Sequence, residues 1–129
     1  MTHLYLDTSA ALKLLVEEPE SVAFADFIAS EQPELVSSFL LETELRRVSH
    51  RQPAVTQEAV TGLLAGVDLL GLPASLFREG GLLPGDNLRS LDALHLGSAI
   101  RAGLDCVLTY DARMSAAART IGFTVLAPA

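Results

Sequence analysis

Short apolar runs alternate along the chain with longer segments in which apolar residues recur every three or four positions. Short runs of this kind are typical of buried strands, and the longer periodic segments are typical of helices with one apolar face. The runs predict five strands, at 3–6, 35–37, 68–70, 106–109 and 124–126. The intervening segments predict helices at 9–16, 22–30, 40–50, 56–65, 74–78, 91–102 and 112–121.

Strands that alternate with helices predict an α/β fold, in which a mostly parallel central sheet is covered by helices on both faces. The chain length of 129 residues fits one domain, 1–129. The only long stretch rich in turn-forming residues is 80–87. Gly103 and Gly122 each follow a predicted helix by one residue, where a glycine commonly stops a helix in the left-handed conformation.

The composition favours a cytoplasmic protein without a membrane span. Charged residues interrupt the longest apolar runs within about ten positions, short of the ~18 that a span requires. No basic segment followed by an apolar stretch opens the chain, because Asp7 interrupts it, so an export signal is not expected. The single cysteine, Cys106, cannot form an internal disulfide and is expected to be a buried thiol.

Two carboxylates follow predicted strands. Asp7 follows strand 3–6, and Asp111 follows the apolar run that contains strand 106–109. In open α/β sheets the functional site lies outside the carboxyl ends of the strands. We therefore expect these two side chains to converge despite the 104 positions between them, although either could instead cap a helix.

Two further carboxylates lie on apolar sides of predicted helices. At about 100° per residue, Glu44 falls inside the apolar arc between Leu40 and Val48, whereas Glu42 faces solvent. Asp92 lies on the apolar side of its own helix, close to the start, where the helix dipole favours negative charge. Each of these carboxylates also has a simpler interpretation. Glu44 could form an ion pair with Arg47, and Asp92 could be an acid that stabilises the first turn of its helix.

Carboxylates gathered in a low-dielectric site repel one another, and a bound divalent cation offsets this electrostatic repulsion. Oxygen ligands without cysteine favour Mg²⁺ or Mn²⁺ over Zn²⁺. The pattern therefore predicts a metal-dependent hydrolase, in which a metal-bound water attacks a phosphodiester. The predicted metal-binding and catalytic residues are Asp7, Glu44, Asp92 and Asp111.

The net charge of −7 neither supports nor excludes a nucleic-acid substrate, since it would be −3 without these four acids. Eight of the nine basic residues are arginines, which suit bidentate phosphate contact. Arg47 and Arg113 are candidates for contacts with phosphate, although they could instead pair with the site carboxylates or be simple surface charges. Lys13 is a weaker candidate for phosphate. His95 is expected to be a packed or hydrogen-bonded neighbour rather than a general base.

Four sequence blocks appear in the order and approximate spacing of the PIN-domain family, and the chain resembles VapC-type toxins of bacterial toxin–antitoxin pairs. The blocks are Leu6-Asp7-Thr8-Ser9-Ala10, Glu44-Leu45-Arg46-Arg47, Leu91-Asp92-Ala93-Leu94-His95-Leu96 and Thr109-Tyr110-Asp111-Ala112-Arg113-Met114. The resemblance covers residues 4–125 and implies a PIN-like three-layer α/β/α sandwich. Thr109 matches a hydroxyl residue of the family. Ser9, a supporting residue close to Asp7, is expected either to cap the first helix or to bind a water of the metal.

The resemblance implies a Mg²⁺- or Mn²⁺-dependent endoribonuclease that cuts tRNA or rRNA. It also implies a homodimer that a VapB-type antitoxin inhibits. The alternative is a catalytically silent PIN-like binding partner in a repressor complex. A receiver domain is disfavoured because the only lysine is Lys13, and a dinucleotide-binding fold is disfavoured because no Gly-x-Gly-x-x-Gly follows the first strand.

Overall fold

The computed structural model describes residues 2–129, whose five strands form a single parallel sheet with the order β3-β2-β1-β4-β5. The strands are β1 (His3–Leu6), β2 (Glu34–Ser38), β3 (Asp68–Leu70), β4 (Cys106–Leu108) and β5 (Thr124–Leu126). The helices are α1 (Thr8–Leu12), α2 (Ser21–Glu31), α3 (Phe39–Arg51), α4 (Gln57–Leu64), α5 (Ala74–Gly81), α6 (Ser90–Arg101) and α7 (Ala112–Thr120).

Side chains of the central strand β1 point alternately to the two faces of the sheet, as the period of a strand requires. Leu4 and Leu6 enter a core that the helices α1–α4 complete, whereas Tyr5 enters a second core with residues of α6 and α7. Helix α5 packs on α6. The predicted three-layer α/β/α arrangement is therefore confirmed, and the sheet is parallel throughout the described residues.

Two helices end three or more residues away from their predicted bounds, and the others agree to within one residue at each end. Helix α1 ends at Leu12 rather than at residue 16, because the chain then tightens into turns with hydrogen bonds three residues apart, such as Leu15 N–H to Leu12 O at 3.0 Å. Helix α5 continues to Gly81, three residues beyond its predicted end. Gly80 is buried there against α6, and a Cβ atom at this position would lie 3.4 Å from the carbonyl oxygen of Ala93.

Both predicted glycine stops adopt the left-handed conformation, with φ of 75° at Gly103 and 101° at Gly122. Cys106 is buried in β4, between β1 and β5. Within residues 2–129, no helix has the combined length and apolarity that crossing a bilayer requires.

Candidate active site

The carboxyl ends of β1 and β4 meet at one edge of the sheet. These strands are paired with Leu6 opposite Leu108, and the backbone N–H of Asp7 donates to Leu108 O at 3.1 Å. The residues that follow the two strands are therefore neighbours. Asp7 and Thr109, which are distant in sequence, lie side by side as a result.

Two hydroxyl groups hold the Asp7 carboxylate, which is 5% exposed. Thr109 Oγ1 donates to Asp7 Oδ2 at 2.7 Å, and Ser9 Oγ donates to the same oxygen at 2.9 Å. Each hydroxyl has a single proton, and both protons are donated to Asp7. The 3.1 Å approach between Ser9 Oγ and Thr109 Oγ1 is therefore a packing contact and not a hydrogen bond. Ser9 Oγ also accepts the backbone N–H of Tyr110 at 2.9 Å, which ties α1 to the end of β4.

Asp111 caps helix α7 at the same edge of the sheet. Its Oδ1 atom accepts the backbone N–H of Met114 at 2.9 Å, as a helix N-cap does. Its own N–H donates to Thr109 Oγ1 at 3.1 Å. The capping interpretation of Asp111 is therefore confirmed, and this role coexists with a position close to Asp7.

Glu44 points inward from α3, as its place in the apolar arc predicts. Its Oε1 atom accepts a hydrogen bond from Thr8 Oγ1 at 2.8 Å and lies 2.6 Å from His95 Nε2. Burial opposes ionisation of this carboxyl group, but the hydrogen bond and charge of His95, together with Thr8, outweigh it and lower the pKa of Glu44. Within residues 2–129, Glu44 makes no ion pair with Arg47, so that alternative is wrong.

His95 and Tyr5 belong to the same hydrogen-bond chain, which the sequence did not reveal. His95 Nδ1 lies 2.7 Å from the Tyr5 hydroxyl, and His95 is 1% exposed. The only sequence signal is the position of His95 on the buried side of α6, three residues after Asp92. The expectation of a hydrogen-bonded neighbour is confirmed.

Asp92 lies half-buried in the first turn of α6. Burial, followed by the negative charges of Asp7 and Asp111, raises the pKa of Asp92 above its ordinary value, and Glu44 adds a smaller effect in the same direction. The charges of the other three acids, which are remote from Asp92 in sequence, therefore act on its carboxyl group.

The chemistry of the donors fits a hard divalent cation, since the clustered carboxylates offer oxygen ligands and the repulsion at Asp92 is the kind that a cation relieves. Among the described residues, however, no three Asp, Glu, His or Cys side chains are placed to hold one ion together. Mg²⁺ usually keeps several of its waters, so an ion bound here would contact one or two of the carboxylates directly and the others through those waters.

The three basic candidates differ in their surroundings. Arg47 and Arg113 are exposed, and neither makes a side-chain hydrogen bond or ion pair with another residue of 2–129. Lys13 is already paired, since its Nζ atom lies 2.6 Å from Glu20 and 3.2 Å from Glu18. The same ammonium group lies 5.0 Å from the centre of the Tyr110 ring.

The sequence matches the PIN domain over residues 4–120. It is 42% identical to Ribonuclease VapC46 of Mycobacterium tuberculosis, over 99% of each chain. The fold resembles that of M. tuberculosis VapC20, described as a Sarcin-Ricin loop cleaving toxin, with a TM-score of 0.76 and 20% identity over 97% of this chain and 99% of that one.

A second solved structure with the same fold is VapBC2 from Rickettsia felis, bound to a DNA fragment from its promoter. The TM-score is 0.67, at 13% identity over 97% of this chain and 98% of that one. The range that matches the PIN domain, residues 4–120, contains all four acidic positions of the candidate site. The chain belongs to the PIN-domain family, in the branch of the VapC-type toxin ribonucleases.

Proposed function

We propose that this chain is a divalent-metal-dependent endoribonuclease, the toxin of a VapBC-type toxin–antitoxin pair. It hydrolyses phosphodiester bonds of tRNA or rRNA in the cytoplasm, with Mg²⁺ or Mn²⁺ as cofactor. The observation that carries the proposal is the gathering of four acids at one sheet edge, where the charges of Asp7, Asp111 and Glu44 all raise the pKa of Asp92. The ribonuclease VapC46, at 42% identity, supports the same activity.

The proposed metal-binding and catalytic residues are Asp7, Glu44, Asp92 and Asp111. A divalent ion bound there would lower the pKa of a water molecule and stabilise the leaving oxygen of the phosphodiester. The protein contributes fixed ligand orientations. Thr109 and Ser9 restrain Asp7, and Thr8 and His95 restrain Glu44.

In both restrained carboxylates, the hydrogen bonds fall on a single oxygen. Asp7 Oδ2 and Glu44 Oε1 accept all the side-chain hydrogen bonds that these groups make with residues 2–129. The other oxygen of each carboxylate is therefore available for a cation or its water. Fixing one oxygen in this way lowers the entropy that is lost when the other binds.

Arg47 and Arg113 are the proposed contacts for RNA phosphates, because their guanidinium groups are exposed and make no ion pair with the described residues. Lys13 is a weaker proposal for the same role. It would have to leave Glu18 and Glu20, and so exchange two existing ion pairs for one new contact.

The proposed partners are a VapB-type antitoxin and a second copy of this chain. The VapBC2 structure supports an antitoxin partner, since its fold matches this chain. Exposed apolar side chains on and beside α5 and α6, among them Phe77, Leu82 and Leu91, support a homodimer.

The test is cleavage of a panel of tRNA and rRNA fragments with Mg²⁺ or Mn²⁺, with and without EDTA. We expect cleavage that EDTA abolishes, and a loss of about 100-fold or more in Asp7→Asn, because an amide is a poor ligand for a hard cation. The matched control is Asp26→Asn, an exposed acid on α2. Equal cleavage by Asp7→Asn and the parent would contradict the assignment.

The same experiment separates the enzyme from the silent binding partner. Mn²⁺ binding without cleavage of any RNA in the panel would favour the silent partner. Cleavage that EDTA leaves unchanged would contradict the proposed metal dependence and leave the family membership intact.

A further inference from the structure

A chain of hydrogen bonds runs from the core of the protein to the candidate active site. It begins at Tyr5 in the central strand, passes through both ring nitrogens of His95, and ends at Glu44. The two contacts are short, at 2.7 and 2.6 Å, and Tyr5 and His95 are 0% and 1% exposed. Since α3 and α6 cover opposite faces of the sheet, the contact between Glu44 and His95 joins the two helical layers.

The positions of the protons follow from the chemistry of the three groups. An ionised carboxylate only accepts hydrogen bonds, so His95 Nε2 must carry a proton and donate it to Glu44. Burial raises the pKa of Tyr5 to about 12, so its hydroxyl is protonated at neutral pH. Tyr5 can donate to Nδ1 of a neutral ring or accept from an imidazolium ring, and Nε2 donates to Glu44 in both cases.

The burial of His95 excludes direct contact with a substrate. Both ring nitrogens are occupied, and the ring packs edge-on against Tyr5 with centroids 5.6 Å apart and an interplanar angle of 74°. Packing alone does not require a polar ring at this place, since Leu96 and Ala99 occupy the adjoining core. Unlike an apolar side chain, the imidazole ring can hold the Glu44 carboxylate in a fixed orientation through a hydrogen bond.

We propose that His95 is a positioning residue, and that Tyr5, His95 and Glu44 form a relay which fixes Glu44 Oε1 and presents Oε2 to the metal site. This inference rests on the proposed function, in which Glu44 belongs to that site. The relay acts through Glu44 and touches no RNA. Loss of the relay therefore weakens metal binding and lowers kcat, whereas KM for RNA stays close to that of the parent.

The chain offers a matched pair of substitutions at this position. In His95→Gln the amide nitrogen reaches roughly the place of Nε2, so it can still donate to Glu44. In His95→Asn the shorter amide reaches only the place of Nδ1, which retains the contact with Tyr5 and loses Glu44. We expect His95→Asn to lose about 10- to 100-fold in Mn²⁺ affinity and in kcat, and His95→Gln to lose much less.

Mn²⁺ affinity is measured without RNA, by calorimetry or by electron paramagnetic resonance of the free ion. Thermal melts and circular dichroism show whether each variant is folded. Equal affinities in the two folded variants, whether both unchanged or both reduced, would overturn the proposal. If His95→Asn does not fold, His95→Leu takes its place, because leucine occupies the buried position without a donor to Glu44; a Mn²⁺ affinity equal to that of His95→Gln would then overturn the proposal.

A spectroscopic measurement keeps this proposal separate from the proposed function. In the parent protein, ¹⁵N–¹H correlation of the histidine rings should show His95 with a protonated Nε2, and an unprotonated Nε2 would overturn the relay. A parent that neither binds Mn²⁺ nor cleaves RNA would contradict the proposed function. Even then, the protonation of His95 Nε2 would show whether His95 donates a hydrogen bond to Glu44.

Discussion

The Asp7 carboxylate accepts a hydrogen bond from the Thr109 hydroxyl at 2.7 Å, across 102 positions of sequence. The same hydroxyl oxygen accepts the backbone N–H of Asp111 at 3.1 Å. Thr109 is fully buried, so water cannot replace either bond without a rearrangement of the site. One side chain therefore fixes two of the four acids relative to each other.

Thr109→Val tests this arrangement, since valine retains the shape of threonine and removes the hydroxyl group. Asp7 would keep only Ser9 as a hydroxyl partner, and the N–H of Asp111 would lose its acceptor. We expect cleavage of RNA to fall about 10-fold or more, and the free energy of unfolding to fall by about 1–3 kcal/mol. Single-turnover cleavage rates and urea denaturation measure the two effects.

The control is Thr109→Ser, which keeps the hydroxyl and loses only a methyl group. We expect this variant to cleave at nearly the rate of the parent. If the valine and serine variants cleave equally fast, the hydroxyl does not orient Asp7 for the reaction.

The fold could be predicted from the sequence because its strands are short apolar runs and its helices carry clear apolar faces. The errors arise where packing overrides local preference. Gly80 and Gly81 have the composition of a turn, yet they continue α5, which packs on α6 with Gly80 buried. Residues 13–16 have helical periodicity, yet they form tighter turns.

The candidate site was predictable to the extent that topology determines it. Parallel strands bring Asp7 and Asp111 to one edge, and helical periodicity turns Glu44 inward. The relay through Tyr5 and His95 could not be predicted, because it depends on which side chains of β1 and α6 meet in the core. No sequence pattern links residues 90 positions apart in this way.

Asp92→Asn should stabilise the metal-free protein at neutral pH while it impairs cleavage. Burial and the charges of Asp7 and Asp111 raise the pKa of Asp92, so ionised Asp92 is repelled in the folded state. A neutral amide removes that repulsion. We expect a higher Tm than that of the parent in EDTA, measured by differential scanning fluorimetry, with Asp26→Asn unchanged as the control.

The sign of the pH dependence follows from the raised pKa. The folded state holds the Asp92 proton more tightly than the unfolded state does, so the stability of the parent falls as pH rises from the ordinary value of 3.8 through the raised value. The gain in stability of Asp92→Asn over the parent should therefore be largest at about pH 7–8 and shrink as the pH falls towards about 4. If the gain in stability instead grows on acidification, repulsion of ionised Asp92 is not the cause of the gain.

Arg113→Met tests the proposed contact with RNA phosphate. Arg113 lies in the first turn of α7, two residues after Asp111, and its side chain is exposed. Loss of one phosphate contact should weaken RNA binding and reduce the slope of log Kd against log salt concentration by about 1. Fluorescence anisotropy over a series of salt concentrations measures the Kd for RNA and its salt dependence. All proteins in this experiment carry Asp7→Asn, so that the RNA is not cleaved during the measurement.

Arg119→Met provides the control, because Arg119 is an exposed arginine in the last turn of the same helix. It carries the same charge and lies at the opposite end of α7 from Asp111. Equal salt slopes for the two variants would show that Arg113 contributes only through net charge.

Phe77→Glu tests the proposed homodimer. Phe77 is 54% exposed and, with Leu94, lines a groove of about 250 Å³ between α5 and α6. Covering this groove with a second copy would bury apolar surface, and a buried unpaired carboxylate would prevent it. We expect light scattering to give twice the chain mass of 13.7 kDa for the parent and a single chain mass for the variant.

The matched control for this prediction is Val22→Glu, on the distant helix α2, where Val22 is 71% exposed. It adds the same charge at an exposed apolar position outside the groove, so it should leave the parent mass unchanged. A Phe77→Glu protein that keeps the doubled mass would remove the groove from the interface. Dissociation of both variants would instead attribute the effect to added negative charge, since the chain already carries a net charge of −7.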